Sequence, residues 1–385
     1  MAEKYCIVLG DGMADEPLSE LSGMTPLEAA HTPHMDYIAR EGAMGLLKTV
    51  PDGFAPGSDI ANLSVLGYDP ASCYTGRGAL EAASMGVSLK DDDVAYRCNL
   101  VTITGDLLED FNAGHISSEE GAALLKTLNE HLSGITCYPG ISYRNLLIIP
   151  GGKGCTSTAP HDITGQSVGA FLPEGPDADL LMQAMKISTE VFASHPVNRG
   201  RISRGEKPAT SIWPWSGGKR PDIRPFYEMF GLSGGIISAV DLLNGIGTYA
   251  GMEIIKVPGA TGFIDTDYQA KARYAIEALK RLDFLFIHVE APDEAGHMGS
   301  IEEKVKAIER VDEMIGTIMK EYSGLIAVLP DHPTPIRIKT HTSVPVPFAI
   351  FGKEKDKTTR FSEQEGGKGM YGLLPGIRLI PLLIS

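Results

Sequence analysis

The second half of the chain alternates short apolar runs with helical segments, and this rhythm constrains the fold more than any other feature. The apolar runs 284–289 and 325–329 have the length of buried strands and are bounded by polar clusters. Residues 301–322 carry apolar side chains at the spacing of an amphipathic helix. Together with a last strand at 346–351, this alternation predicts an α/β fold with a mostly parallel sheet covered by helices on both faces.

Two segments near the amino terminus place polar side chains where open α/β sheets put their sites. The run 5–9 is followed by Gly-Asp-Gly, so Asp11 leaves the carboxyl end of a predicted strand, although Asp-Gly also suits an ordinary turn. Ser58 follows a Pro-Gly turn and precedes the apolar segment 60–66, where serine is a favoured N-cap. A helix N-terminus also binds anions, so Ser58 is interpreted either as a simple cap or as a nucleophile beside a phosphate site.

Three further polar clusters accompany strands in the second half. Asp293 and His297 stand four residues apart, so one helical turn would place them on the same face. Asp331 and His332 leave a strand between prolines, and His341 precedes the last strand. Taken singly, each cluster also suits a surface pair, a turn or a solvated loop.

Seven side chains near predicted strand ends together suit two divalent ions in a shared site. They are Asp11, Ser58, Asp293, His297, Asp331, His332 and His341. Two such ions can clamp both oxygens of an in-line phosphoryl displacement. One ion can also lower the pKa of the serine hydroxyl, which yields a nucleophile without a histidine base.

Between these segments the alternation is lost. Strand-like runs at 98–103 and 145–149 mix with helix without a βαβ rhythm, so residues 76–189 are predicted to form an inserted α+β cap domain. Residues 1–75 and 190–385 would then form the metal-binding core domain.

Composition excludes several classes of function. The net charge of −15 over 385 residues argues against nucleic-acid binding, which requires a basic face. Five cysteines without a CxxC motif predict free thiols in a reducing compartment. Neither a signal peptide nor an apolar run of about 18 residues is recognisable, so a cytoplasmic protein without membrane attachment is expected.

The motifs together resemble the alkaline phosphatase superfamily, and within it the archaeal-type 2,3-bisphosphoglycerate-independent phosphoglycerate mutases. The resemblance runs essentially from end to end of the chain. It is carried by residues 10–13, 56–59, 66–70, 74–78, 97–99, 195–198, 258–262, 292–297, 330–332 and 341.

The resemblance implies metal-dependent phosphoryl transfer through a phosphoserine. The implied ligand sets are Asp11, Ser58, Asp331 and His332 for one ion, and Asp293, His297 and His341 for the other. Ser58 would take the phosphoryl group from 3-phosphoglycerate and return it to the 2-hydroxyl of glycerate, which the cap shields from water. Mn²⁺ is the expected metal, with Mg²⁺, Zn²⁺ and Co²⁺ as alternatives.

The expected partner is a small phosphorylated substrate, and the oligomeric state is left open. Its carboxylate and phosphate should be clamped by cationic side chains, whose simpler role would be pairing with nearby acids. The candidate substrate contacts are Arg77, Arg97, Arg144, His161, Asp162, Lys219 and Arg220.

Several segments depart from the archaeal pattern and leave the phosphoryl acceptor open. Ile60 and Asn62 stand where that pattern has Thr and His, and residues 112–115 replace an Arg-bracketed Ala-Gly segment. Residues 160–165 and 212–218 resemble instead a bacterial sister group proposed to act as homoserine kinases. A homoserine kinase-like phosphotransferase is therefore the first alternative, and a phosphatase of the same superfamily the second. None of these differences replaces a predicted metal ligand.

Overall fold

The structure is a computed structural model that describes residues 3–385. The chain forms two compact units, and the second is inserted into the first. Unit 1 runs to Tyr74 and resumes at Asp222, and unit 2 comprises Thr75–Pro221.

The elements are numbered in chain order over residues 3–385. The strands are β1 (Tyr5–Gly10), β2 (Ala43–Lys48), β3 (Val94–Thr104), β4 (Leu107–Asp110), β5 (Thr136–Ile141), β6 (Arg144–Ile149), β7 (Ser211–Lys219), β8 (Gly234–Ile237), β9 (Glu253–Ile254), β10 (Phe284–Val289), β11 (Leu325–Leu329), β12 (Val346–Phe351) and β13 (Leu373–Pro375). The α-helices are α1 (Pro26–Ala29), α2 (Pro33–Glu41), α3 (Ser58–Val65), α4 (Pro70–Cys73), α5 (Arg77–Ser84), α6 (Ser118–Asn129), α7 (Ala178–Ala193), α8 (Pro196–Ser203), α9 (Phe226–Phe230), α10 (Asp241–Tyr249), α11 (Tyr268–Leu279), α12 (Ala291–Met298), α13 (Ile301–Met319), α14 (Glu363–Gly366) and α15 (Leu379–Ile384).

Unit 1 is built on a sheet whose order, in the described part of the chain, is β13-β2-β12-β11-β1-β10-β8-β9. Its pairs are parallel except those that β12 makes with β11 and β2. Cys6 and Val8 of the central strand pack with residues of α2, α11 and α13, while Ile7 and Leu9 point to the opposite face and are also fully buried. The predicted α/β fold with a mostly parallel sheet is therefore confirmed.

The direction of β12 determines where the polar loops lie. Because β12 runs antiparallel to β11, its first residue lies at the edge of the sheet where β1, β10 and β11 end. The loop that precedes β12 therefore joins the loops that follow these three strands.

Unit 2 has an antiparallel sheet of its own. Strand β3 pairs with β4, β6 and β7, and β5 pairs with β6. Leu124 and Leu128 of α6 pack with Trp213 of β7 in one core. Unit 2 is thus of α+β type.

The end of unit 2 differs from the boundary expected at 189. The unit continues to Pro221 because β7 pairs with β3 from Val94↔Lys219 to Val101↔Ser211. The sequence of β7, with its Pro and two Gly residues, lacks the pattern of a strand.

No helix among residues 3–385 is both long and apolar enough to cross a membrane.

Candidate metal centre

All seven predicted ligands belong to unit 1, and the structure brings them together at the edge where β1, β10 and β11 end. In the first ligand set, Nε2 of His332 lies 3.1 Å from Oγ of Ser58 and 3.5 Å from both Oδ1 of Asp11 and Oδ2 of Asp331. Oγ of Ser58 also lies 3.3 Å from Oδ2 of Asp11. Both aspartates and the histidine are fully buried. Four donor groups thus converge around one point.

Ser58 is the first residue of α3 and not its N-cap. Gly57 takes the N-cap position with an extended backbone, and the structure gives α3 no side-chain cap among residues 3–385. The hydroxyl of Ser58 faces Asp11 and His332 instead. The alternative interpretation, that this serine simply caps the helix, is therefore wrong, and its side chain is available to the ligand set.

The second ligand set consists of Asp293, His297 and His341. Oδ2 of Asp293 lies 3.1 Å from Nε2 of His297, one turn along α12, as the four-residue spacing predicted. Nε2 of His341 lies 3.0 Å from Nε2 of His297 and 3.5 Å from Oδ1 of Asp293. Nδ1 of His297 donates to the carbonyl oxygen of Lys339 at 2.9 Å, which directs Nε2 toward its two partners.

The ionisation of this set reflects its close contacts. Burial would raise the pKa of Asp293, but hydrogen bonds from His297 and His341 lower it well below its ordinary value. The hydrogen bond to Asp293 in turn raises the pKa of His297 to about 9 against the effect of burial.

The two ligand sets are contiguous. Donor atoms of Asp293, His332 and His341 lie within 4.8 Å of one another, and so do those of Asp11, Asp331 and His332. His332 therefore belongs to both groups, and its ring centroid lies 4.1 Å from that of His341.

The residues fit divalent cations. Oδ1 of Asp11 is buried and has no hydrogen-bond partner within residues 3–385. Burial, and then repulsion by Asp331, Glu290 and Asp293, raise the pKa of Asp11 well above its ordinary value. A cation would give the unpaired oxygen a partner and neutralise this crowded charge, and mixed carboxylate and imidazole donors suit divalent transition metals.

Three residues that the sequence did not predict, His288, Glu290 and Lys271, lie behind the predicted ligand Asp11. Nε2–H of His288, a buried residue of β10, donates to Oδ2 of Asp11 at 3.0 Å. Burial lowers the pKa of His288 to about 4, so the ring is neutral. Its Nδ1 lies 3.7 Å from Oε2 of Glu290, and Nζ of the buried Lys271 donates to its carbonyl oxygen. The sequence signal that could have identified His288 is the presence of a histidine inside an otherwise apolar strand.

Asn62, which departs from the archaeal pattern, also contacts the site. Its Nδ2 donates to Oδ2 of Asp331 at 2.9 Å and to the carbonyl oxygen of Ser58 at 2.8 Å. The side chain therefore ties the start of α3 to the loop after β11.

Unit 2 contains all seven candidate substrate contacts. The guanidinium carbon of Arg97 lies 4.3 Å from the ring centroid of Trp215, and its Nε lies 2.9 Å from Oε1 of Glu81. Burial lowers the pKa of Arg97 to about 10 against the attraction of Glu81, and the charges of Arg77 and Arg144 lower it further.

His161 joins this group, and Oδ1 of Asp162 lies 3.6 Å from Nε2 of His161. The ring of His161 meets that of Trp215 edge-on at 5.3 Å. Arg220 is exposed and lies 3.6 Å from Asp91. Lys219 and Asp162 are also exposed. The structure therefore gathers Arg77, Arg97, Arg144 and His161, places Asp162 beside His161, and leaves Lys219 and Arg220 exposed on unit 2.

Comparison with known proteins points to one family. The family profile described as 2,3-bisphosphoglycerate-independent phosphoglycerate mutase matches residues 39–198. The chain is 52% identical over 395 residues to the 2,3-bisphosphoglycerate-independent phosphoglycerate mutase of Methanosarcina barkeri, with 99% of each chain covered. It is 49% identical to a probable enzyme of the same name from Geobacter sulfurreducens, covering 99% of this chain and 100% of the other.

Solved structures agree with this result. The PH0037 protein from Pyrococcus horikoshii is 32% identical, with a TM-score of 0.87 over 100% of this chain and 97% of its own. The cofactor-independent phosphoglycerate mutase from Thermoplasma acidophilum has the same fold, with a TM-score of 0.68 at 23% identity over 100% of this chain and 99% of its own. The chain therefore belongs to the family of 2,3-bisphosphoglycerate-independent phosphoglycerate mutases and is an enzyme of that family.

Proposed function

We propose that the chain interconverts 3-phosphoglycerate and 2-phosphoglycerate by divalent-metal-dependent phosphoryl transfer through Ser58. The observation that carries the proposal is the position of Oγ of Ser58, 3.1 Å from Nε2 of His332 and 3.3 Å from Oδ2 of Asp11. A serine hydroxyl among buried carboxylate and imidazole donors is placed to act as a nucleophile.

In the proposed reaction, Oγ of Ser58 loses its proton and attacks the phosphorus atom of 3-phosphoglycerate, the ester bond to the 3-oxygen breaks, and that oxygen takes up a proton to become the 3-hydroxyl of glycerate. The 2-hydroxyl of the bound glycerate then loses its proton and attacks the phosphorus atom of phosphoserine, and Oγ of Ser58 leaves and regains a proton. Asp11 and His332 hold the serine oxygen in place, and Asn62 holds both the backbone of Ser58 and the carboxylate of Asp331. Glycerate must be shielded from water between the two transfers, because hydrolysis of phosphoserine would turn the enzyme into a phosphatase.

One divalent cation would be held by Asp11, Ser58, Asp331 and His332, and the other by Asp293, His297 and His341. When bound, the cations would lower the pKa of the serine hydroxyl and neutralise charge on the transferring group. Mn²⁺ is our proposal for both, because the donors combine carboxylate oxygens with imidazole nitrogens, and Mg²⁺, Zn²⁺ and Co²⁺ are the ions to compare.

We also propose that the cluster around Trp215 in unit 2 binds the anionic groups of the substrate. Arg97 is the central residue, because its side chain is only 12% exposed, its guanidinium lies over the ring of Trp215, and its Nε is held by Glu81. Such a fixed planar group suits bidentate recognition of a carboxylate or phosphate. The cytoplasmic location and the cap role of unit 2 stay predictions.

The test is a substrate panel on purified protein with Mn²⁺. We expect 3-phosphoglycerate and 2-phosphoglycerate to interconvert without added 2,3-bisphosphoglycerate and without release of free phosphate. Ser58→Ala should abolish turnover, whereas Ser64→Ala, a change at a fully buried serine of the same helix, should leave it intact. ADP release that depends on homoserine and ATP, without mutase turnover, would replace the proposed acceptor with homoserine. Release of free phosphate alone would identify a phosphatase.

A further inference from the structure

Asn99 lies in the middle of β3 in unit 2, and its side chain is buried. Its Oδ1 accepts a 3.0 Å hydrogen bond from Nε1–H of Trp215. Its Nδ2 donates to the carbonyl oxygen of Phe111, also at 3.0 Å. One amide therefore joins β7, which carries Trp215, to the residue that directly follows β4.

The strand register places Asn99 among the candidate substrate contacts. Arg97 and Asn99 stand two residues apart on β3, so their side chains point to the same face of the sheet. Arg97 lies opposite Trp215 of β7, and Asn99 lies opposite Arg144 of β6. The guanidinium carbon of Arg144 lies 5.3 Å from the ring centroid of Tyr143. Asn99 is thus next to two arginines, each of which has an aromatic partner.

The two residues that Asn99 holds are also linked to each other through aromatic rings. The ring of Phe111 meets that of Tyr143 edge-on at 5.7 Å and lies 6.2 Å from that of His161. His161 in turn meets Trp215 edge-on at 5.3 Å. A shift of either residue bonded to Asn99 would therefore change the surroundings of His161 and of both arginines.

The types of donor and acceptor explain why an asparagine suits this position. An indole N–H only donates and a carbonyl oxygen only accepts, so the side chain must offer one acceptor and one donor. Leucine has a similar size but offers neither, and it would leave the indole of Trp215 and the carbonyl group of Phe111 without these bonds. The net contribution of one ordinary hydrogen bond corresponds to about a threefold to tenfold change in an equilibrium constant.

We propose that Asn99 is a positioning residue for substrate binding, which fixes the indole of Trp215 against Arg97 and the backbone of Phe111 beside His161. The inference rests on the proposed function in one respect, namely that the cluster around Trp215 binds the anionic groups of the substrate. A residue that only orients a binding group supports the ground state and the transition state equally. Its loss should therefore raise KM and leave kcat nearly unchanged.

The first test observes the indole groups directly, because the chain has two tryptophans. Nitrogen-15 NMR of tryptophan-labelled protein should show two indole N–H signals, which Trp215→Phe assigns. Nε1 of Trp213 donates to the carbonyl oxygen of Thr158 at 2.8 Å and provides the internal reference. Asn99→Leu should shift the signal of Trp215 and speed its exchange with water about threefold to tenfold, and should leave that of Trp213 nearly unchanged. If Trp215 N–H of the parent protein exchanges as fast as a free indole, the inference is overturned even when Asn99→Leu fails to fold.

The second test measures kinetics with Mn²⁺. Asn99→Leu should raise KM for 3-phosphoglycerate about threefold to tenfold and keep kcat within about twofold of the parent value. Asn129→Leu is the matched control, because Asn129 also lies in unit 2 and its amide both donates to and accepts from the backbone of Cys137 at 2.8 Å. Its KM should equal that of the parent protein.

The possible failures can be told apart. Absence of turnover in the parent protein would overturn the proposed function. Turnover in the parent protein, combined with an unshifted Trp215 signal or an unchanged KM in Asn99→Leu, would overturn the inference alone. An equal rise of KM in Asn129→Leu would also overturn it, because the effect would then reflect a general loss of stability in unit 2.

Discussion

Replacing Glu290 by glutamine should stabilise the metal-free protein, by an amount that depends on pH. Burial, and then the negative charge of Asp293, raise the pKa of Glu290 from its ordinary 4.5 to about 8. Its side chain is 18% exposed, so water screens the group only weakly. Glutamine keeps the size of the side chain and removes its charge.

The magnitude and sign follow from the two pKa values. Below pH 4.5 the carboxyl is protonated in both the folded and the unfolded chain, so the variant gains nothing there. As pH rises to about 8, the unfolded chain loses this proton while the folded chain keeps it, and the free energy of unfolding of the parent protein falls. Since one pKa unit corresponds to about 1.4 kcal/mol, the gain of Glu290→Gln reaches at most about 5 kcal/mol above pH 8.

Urea unfolding in the presence of EDTA at pH 5 and pH 8.5 tests this prediction. Trp213 and Trp215 both lie in unit 2, so fluorescence identifies that unit's transition and circular dichroism gives the remaining transition of unit 1. The control is Glu302→Gln, at a side chain that is 76% exposed and paired with Lys306. Equal pH dependence in Glu290→Gln and the parent protein would refute the reasoning, as would a loss of stability at pH 8.5.

Three further predictions concern protons, substrate and packing. At pH 7.5 Mn²⁺ binding should release a proton from His297, because the hydrogen bond to Asp293 raises the pKa of His297 to about 9. Calorimetry in two buffers of different ionisation enthalpy counts the released proton, and identical heats in the two buffers would contradict this prediction. Arg97→Lys should raise KM for 3-phosphoglycerate about tenfold, because the planar guanidinium over Trp215 is lost. Arg220→Lys, at an exposed site, should leave KM unchanged. If Arg97→Lys has the KM of the parent protein, Arg97 does not bind the substrate. Lys304→Met should cost about 3–5 kcal/mol in thermal unfolding because it leaves the carboxylate of Asp15 buried and unpaired, and adding Asp15→Asn should recover much of that loss.

Several of the residues that were found from the sequence share one property, which is that they follow a strand within a few residues. Asp11, Asp293 and Asp331 each come within a few residues of the end of an apolar run, and parallel strands end at one edge. The chain positions of these residues therefore carried information about their positions in space.

Other residues of the site gave no such signal in the sequence. His288 lies inside β10, where the apolar pattern does not say which face an isolated polar residue will occupy. Thr334 is one of many threonines until its hydroxyl is placed between Asp293 and His332. The extent of unit 2 was hidden for a related reason, because β7 is recognisable as a strand only through its pairing with β3. Contacts between distant segments decide all three cases.

The central place of β1 in the sheet has a consequence for synthesis of the chain. Tyr5 pairs with Phe284 on one side and with Leu325 on the other, so both partners of β1 are made roughly 280–320 residues later. At about 5–20 residues per second, the ribosome needs about 15–60 s to deliver them. During that interval the apolar first strand has no sheet to join, while all the strands of unit 2 become available before β8 is made. Unit 2 should therefore be the first part of a nascent chain to resist protease. Strand β1 is the segment that would most need a chaperone until its partner strands are made.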